Sequence, residues 1–172
     1  MFKENSSLFL NNLLYKNNFF DYFVYSLSEI LPYVLIAFAL IYFLFIKKEF
    51  LKSLLLSLVV LSSLALSEVL KFIFVQDRPF LVFSEIKPLI TLNGIGSSFP
   101  SGHAIVFAAL ATAVYFENKK LGILFFIGAF LIGLSRAISG VHYLQDVAVG
   151  FLIGFLVVFL SYKFIGKLRN KS

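Results

Sequence analysis

An all-α, polytopic membrane helix bundle is the fold class this sequence predicts, with about five transmembrane helices plus an N-terminal interfacial helix. Three observations carry the expectation. The 172 residues are 60% hydrophobic with a mean hydropathy of +0.94, more apolar surface than a soluble fold of that size can hide. Charged residues make up only 14% and gather in short clusters between long apolar runs. The aromatic residues, 23 Phe and 8 Tyr with no Trp, leave Tyr to form the interfacial belts. A formal charge of +6 arranged in such clusters reads as membrane anchoring rather than nucleic-acid binding. Without cysteine, disulfides and thiolate chemistry are excluded.

One domain over residues 1–172 is expected: an interfacial segment at 1–18, a helical bundle at 19–166 and a cytoplasmic tail at 167–172. Met1 to Ser7 lacks a basic region leading into an apolar run, so no removable signal peptide is expected. Residues 5–18 mix Leu and Phe with Asn and Lys16, the composition of a helix lying at the interface. The first span runs from about Phe19 to Ile46. Asp21, Ser26, Ser28 and Glu29 occupy its first half, and the two carboxylates are expected to be solvated at the interface. Lys47, Lys48, Glu49 and Lys52 form a polar hairpin leading to a second span, Phe50 to Gln76. Asp77-Arg78-Pro79 stops it, because proline disfavours helical geometry at the residue before it.

Residues 80–99 form the longest connection. A third span starts at Pro100 or Ser101 and ends before Glu117; a fourth covers Leu121 to about Leu134, and a fifth Tyr143 to about Ile165. Ala104–Phe116 and Leu121–Leu134 supply only 13 and 14 clean apolar residues. A crossing needs about 20. Each must therefore borrow length from a polar neighbour, Pro100–His103 or Ser135–Ile138, which puts those polar residues at the mouth of the bundle. Nine basic residues share the side of the 47–52 hairpin, the 119–120 turn and the tail, against six on the other. The tail side is therefore expected to be cytoplasmic and the polar segments external.

Those segments carry chemistry. His142 and Asp146 are four apart, about 40° on a helix, so the carboxylate reaches the ring from one turn away. Such a carboxylate fixes the imidazole tautomer and stabilises its cation, as a nucleophile or base requires. Gly140 can close the preceding helix and let Arg136 and His142 face one pocket. Lys71 and Arg78, seven apart, share a helix face. Pro100-Ser101-Gly102-His103 opens a helix whose free N–H groups at Ser101, Gly102 and His103 would point outward. Glycine there lets an oxyanion approach the backbone. A helix N-terminus flanked by Lys71, Arg78 and Arg136 is an anion site suited to phosphate. Two histidines complete a phosphoryl-transfer site, one attacking phosphorus and the other protonating the departing oxygen. Blander readings exist for single residues: Lys71 can pair with Glu68, and Ser101 can serve as an N-cap.

Lys-x6-Arg-Pro (Lys71 to Pro79), Pro-Ser-Gly-His (Pro100 to His103) and Ser-Arg-x5-His-x3-Asp (Ser135 to Asp146) resemble the three motifs of the type-2 phosphatidic acid phosphatase superfamily. The resemblance covers about residues 19–166. It implies a helical membrane fold that cleaves phosphate from a lipid with no metal and no cofactor. It assigns the catalytic set as His142, the nucleophile, His103, the general acid and then base, and Asp146, the orienting partner. Lys71, Arg78, Ser101, Gly102 and Arg136 would hold the phosphate. Two departures are local: many relatives have proline where Leu144 stands, and undecaprenyl-diphosphatases often have aspartate where Gly102 stands. The resemblance implies a multi-pass protein of the inner membrane with an outward-facing site, acting on a lipid phosphate taken from the bilayer. Undecaprenyl diphosphate is the first choice, with phosphatidylglycerophosphate, phosphatidic acid or lipid A next. A phosphotransferase and a small transporter are the rival readings; gathering of the charges at one end favours the enzyme.

Overall fold

A computed structural model of the chain describes residues 2–47, 50–91 and 96–169. Those residues are helical wherever they are regular: α1 (Phe2–Asn11), α2 (Asn18–Tyr25), α3 (Leu31–Ile41), α4 (Phe50–Ile73), the single turn α5 (Pro79–Val82), α6 (Gly102–Glu117), α7 (Lys119–Ile138) and α8 (Leu144–Arg169). Asn18–Phe45, Lys119–Ile138 and Leu144–Phe164 are long and apolar enough to cross a bilayer. The 24-residue α4 and the 16-residue α6 complete five long rods. The molecule is a multi-pass membrane protein. Lys48 and Glu49 of the polar hairpin, Asn93, Gly94 and Ile95 of the long connection, and Asn170, Lys171 and Ser172 fall outside the described residues. So do the side chains of Lys47, Lys52, Lys167 and Arg169, and with them most of the charges that orient the chain.

Helix α6 is the axis of the bundle. It buries Ala104, Ile105 and every residue from Phe107 to Val114, packing on α7, α8 and α4. A helix packed on several neighbours is apolar nearly all round, as α6 is. The approach of α8 depends on small residues. A Cβ on Gly150 would sit 2.8 Å from the Ser101 carbonyl, and one on Gly154 would strike the Ile105 carbonyl. These contacts lock the start of α6, where the polar residues are, against α8.

One sequence expectation needs correction here. The interfacial segment is helical only as far as Asn11, and it is docked on the bundle rather than floating beside it. The Asn11 amide donates to the carbonyls of Lys87 (2.9 Å) and Ile138 (3.1 Å) and accepts the Lys87 N–H (2.9 Å). The first span lies where expected, at Asn18–Phe45, with a local change of helical pattern. Between α2 and α3 the helix widens into a π turn, Ser26–Ile30, where the Leu31 N–H reaches back to the Ser26 carbonyl. Pro32 explains the widening: it has no N–H for the Ser28 carbonyl, and its ring would collide with that carbonyl in a regular helix. The extra residue turns Ser28 and Glu29 toward α7.

Candidate active site

Four helix ends meet at one end of the bundle, and backbone hydrogen bonds tie the three motifs together. The Ser101 N–H, ahead of α6, donates to the Asp146 carbonyl in α8 (3.1 Å), and the Ser98 N–H to the Gln76 carbonyl after α4 (2.8 Å). Arg78 clasps two loops, donating from Nε to Gly96 O (3.0 Å), from Nη1 to Val141 O (3.0 Å) and from Nη2 to Ser97 O (3.4 Å). Between these elements lies a cavity of about 370 Å³ lined by Lys71, Arg78, Gly102, His103, Arg136 and His142, six of the residues expected from the sequence. Ser101 and Asp146 do not line it; both are fully buried.

The loop that carries His142 is built by the end of α7. Gly140 takes φ +75°, a conformation that suits glycine, and the Gly140 and Val141 N–H groups bond to Ala137 O (3.1 Å) and Arg136 O (3.3 Å). This is a Schellman closure, and it turns the chain immediately after Arg136. Helix α8 then restarts two residues beyond His142. Asp146 occupies its third position and reaches back with Oδ2 to accept the Tyr143 N–H (2.9 Å), the carboxylate half of a capping box. Leu144 is the first residue of α8, where a proline is equally at home, so that departure alters no site geometry.

His142 is 4% exposed, and its Nδ1 lies 2.7 Å from the Ser98 carbonyl oxygen. A carbonyl only accepts, so Nδ1 carries the proton and Nε2 keeps its lone pair. The Asp146 Oδ2 stands 3.8 Å from the same nitrogen, close enough to act on its charge but beyond hydrogen-bond reach. The immediate partner of the ring is thus the Ser98 carbonyl, with the carboxylate behind. Burial pushes the His142 pKa down from 6.5 to about 4, opposed by Asp146 and reinforced by Arg136 and Arg78. Between those two values the unfolded chain binds a proton that the folded ring refuses, so stability is lost as pH falls through that window. Melting in detergent from about pH 7 down to about pH 5 is expected to show that decline, and His142→Ala to flatten it.

The start of α6 departs from expectation in one respect. The Ser101 N–H is engaged by Asp146, so the free donors begin at Gly102, with His103 next. Pro100, joined to Phe99 by a cis peptide, lies outside the helix. The Ser101 hydroxyl makes no capping bond and has no partner, as does the buried Ser67 hydroxyl one turn before Lys71. Lys71 pairs with Glu68 at 2.7 Å and still lines the cavity. Arg136 is 4% exposed; its Nη1 donates to Glu29 Oε1 (2.7 Å) and Ser28 Oγ (3.2 Å), and its Nε has no partner. Glu29, expected to be solvated at the interface, keeps a side chain 38% exposed and in addition pairs with Arg136 from the π turn. Asp21 stays near the surface, where both of its oxygens accept the Tyr15 N–H (3.0 and 3.1 Å). Sequence reasoning also passed over Gln76 and Ser98, which face the motif residues from loops. Among the described residues no three His, Asp or Glu side chains gather as a metal-ligand set; Glu29 and Glu68 each hold a cation instead.

Comparison with known proteins joins this geometry to a family. A model described as the PAP2 superfamily matches residues 51–170. The chain is 37% identical over 91 residues to the bacitracin transport permease protein BcrC of Bacillus licheniformis, covering 53% of this chain and 44% of that one. It is 37% identical over 97 residues to the undecaprenyl-diphosphatase of Sulfolobus acidocaldarius, covering 56% and 47%. The matched stretch spans about half the length of these curated relatives. The crystal structure of LpxE from Aquifex aeolicus has a TM-score of 0.79 at 30% identity, over 95% of this chain and 96% of that one. The family match takes in all three motifs and the solved relative aligns almost from end to end: the chain belongs to the PAP2 superfamily.

Proposed function

We propose that this protein is a membrane lipid phosphatase working through a phosphohistidine. The observation that carries the reading is that His103 and His142 line one cavity with Lys71, Arg78 and Arg136, and that one side of it is apolar. Pro32, Tyr33, Ile36, Leu64, Val106 and Phe107 form that side, Ser28, Glu29 and Glu68 lie beside the cations, and Tyr33, Ile36 and Leu64 are exposed on the bundle's outer surface. A phosphate can thus sit among the cations while its hydrocarbon chain stays in the bilayer. His142 Nε2 attacks phosphorus and the bond to the leaving oxygen breaks, His103 supplying that oxygen with a proton. Water then gives a proton to His103 and its oxygen displaces His142, releasing inorganic phosphate. Lys71, Arg136, the Gly102 and His103 N–H groups and Arg78 offset charge on the equatorial oxygens. Asp146 steadies the positive charge of the phosphorylated ring.

Undecaprenyl diphosphate is the proposed substrate, supported by the name of the Sulfolobus relative. Phosphatidylglycerophosphate, phosphatidic acid and lipid A are the alternatives. We place the protein in the inner membrane with the cavity facing outward, on the excess of basic residues flanking the opposite helix ends. The name of the Bacillus licheniformis relative favours a second reading, a transporter. One experiment separates the two. Purified protein in detergent, where no gradient exists, is offered undecaprenyl diphosphate, phosphatidic acid, phosphatidylglycerophosphate and lipid A, and phosphate release is measured. Release from at least one, fastest from the diphosphate, is expected. Silence toward all four overturns the phosphatase. In the same assay vanadate, which mimics the five-coordinate phosphorus, is expected to inhibit, and EDTA to leave turnover intact. Strict dependence on added Mg²⁺ would count against the histidine mechanism.

A further inference from the structure

Gln76 lies in the short connection after α4, between Lys71 and Arg78 of the first motif but not one of its named residues, and it bonds to the elements behind His142. Its side-chain amide has two hydrogens, and both are used: Nε2 donates to Ser98 Oγ (2.9 Å) and to Asp146 Oδ1 (3.1 Å). A carboxylate only accepts, so the amide's orientation is fixed, with Oε1 turned to the Lys3 ammonium (3.3 Å). The Gln76 backbone holds the same loop, its carbonyl accepting the Ser98 N–H (2.8 Å) and its N–H donating to Ser97 Oγ (3.0 Å). Ser98 supplies the carbonyl that takes the His142 Nδ1 proton. Asp146 is the carboxylate standing 3.8 Å behind that nitrogen. With Oδ2 on the Tyr143 N–H and Oδ1 on Gln76, the carboxylate cannot turn without breaking a bond.

We propose that Gln76 is a positioning residue for phosphoryl transfer: it holds Ser98 and Asp146 in the one arrangement that keeps His142 Nδ1 protonated and Nε2 aimed into the cavity. The inference rests on the phosphatase reading and names a residue outside the set that touches phosphate. When Nε2 bonds to phosphorus the ring becomes cationic, and Asp146 is effective only if its place is already set; a carboxylate free to rotate must reorganise during the step. A partner that sets the ring and carboxylate without touching the phosphate is expected to act on the rate of the step rather than on substrate binding.

The test uses the full chain in detergent with whichever of the four lipids the wild type turns over. Gln76→Met keeps the length and removes both donors; kcat is expected to fall roughly 10–100-fold with KM nearly unchanged. Gln76→Glu is isosteric, keeps an oxygen for Lys3 and places a second carboxylate against Asp146. The pair can then share one proton, which restores the bond to Asp146 but not the one to Ser98. Its kcat is therefore expected to rise as pH falls from about 8 to about 5.5, a rise the wild type lacks. The other charged and titratable groups around the pair are Lys3 from α1, Asp77 and Arg78 next in the chain, and His142 and Tyr143 ahead of α8. Lys3 and Arg78 shift the shared proton to lower pH and leave the direction intact. A merely structural glutamine would lower the melting temperature and leave both the pH profile and the kcat/KM split alone. Wild-type kcat and pH dependence in folded Gln76→Glu overturn the proposal even if Gln76→Met yields no folded protein. The phosphatase reading fails separately, by silence of the wild type or by normal turnover in His142→Ala.

Discussion

His142→Ala is expected to reduce phosphate release by at least about 10³-fold, the largest loss available from a single side chain here. The geometry gives no substitute. Nδ1 is committed to Ser98, Nε2 is the ring's one free lone pair, and both histidines of the chain already line the cavity. His103, on the first turn of α6, stacks along Phe107 with ring centroids 6.2 Å apart and belongs to a different helix from the His142 loop. It cannot take over attack without abandoning the leaving group. Loss of the ring leaves the Ser98 carbonyl without its donor, a cost on the order of 1–3 kcal/mol, so the variant's melting temperature must be measured beside its activity. Acid-labile phosphate trapped on wild-type protein during turnover, and absent from folded His142→Ala, is the second readout. Normal turnover by the variant would remove His142 from the mechanism. A trapped phosphate that persists without His142 would move the nucleophile elsewhere.

The sequence disclosed what depends on local rules and concealed what depends on a proline acting four residues away. Helices α4, α6, α7 and α8 begin and end within a few residues of where apolar runs, Asp77-Arg78-Pro79 and Gly140 place them. The motif spacings brought Lys71, Arg78, Gly102, His103, Arg136 and His142 to one cavity. Gly140 was legible because only a left-handed residue closes α7 and frees His142 to turn inward. The partner of Glu29 was not legible: the carboxylate sits in the π turn ahead of Pro32 and pairs with Arg136, 107 residues away in the chain. Pro32 was the available signal, since a proline inside a span leaves a carbonyl unpaired. Gln76 and Ser98 carry no periodicity. Their partners are 70 and 44 residues away in the chain, and no local pattern encodes such a contact. Asn11, 127 residues from the Ile138 carbonyl it holds, was hidden in the same way.

Arg136 and Glu29 yield the second large effect, and its sign distinguishes a phosphate ligand from a structural ion pair. Only Nη1 of the guanidinium is occupied by Glu29 and Ser28, while Nε is buried and unpartnered beside the cavity. A fork with one prong held and another free can grip a phosphate oxygen without releasing its carboxylate. An ammonium can do one or the other, so Arg136→Lys is not conservative. Arg136→Ala is expected to lower kcat/KM by roughly 10²–10³-fold and to weaken vanadate inhibition in step, because charge stabilisation is lost mainly where charge develops. The Glu29 side chain is 38% exposed and rehydrates when its partner goes, but Arg136 is buried, so emptying its place is expected to lower the melting temperature, which is measured beside the activity. Glu29→Gln acts in the opposite direction. It keeps an oxygen for Nη1, removes a negative charge facing the bound anion, and is expected to tighten vanadate and product phosphate, lowering KM while slowing release. In the double variant the Glu29 effect should shrink, since most of it is exerted through the missing guanidinium. Vanadate affinity unchanged in Arg136→Ala, or weakened in Glu29→Gln, would reduce the pair to a tie between α7 and the π turn. Opposite shifts in the two single variants identify Arg136 as the phosphate's cation and Glu29 as the group that keeps its grip loose enough to let the product leave.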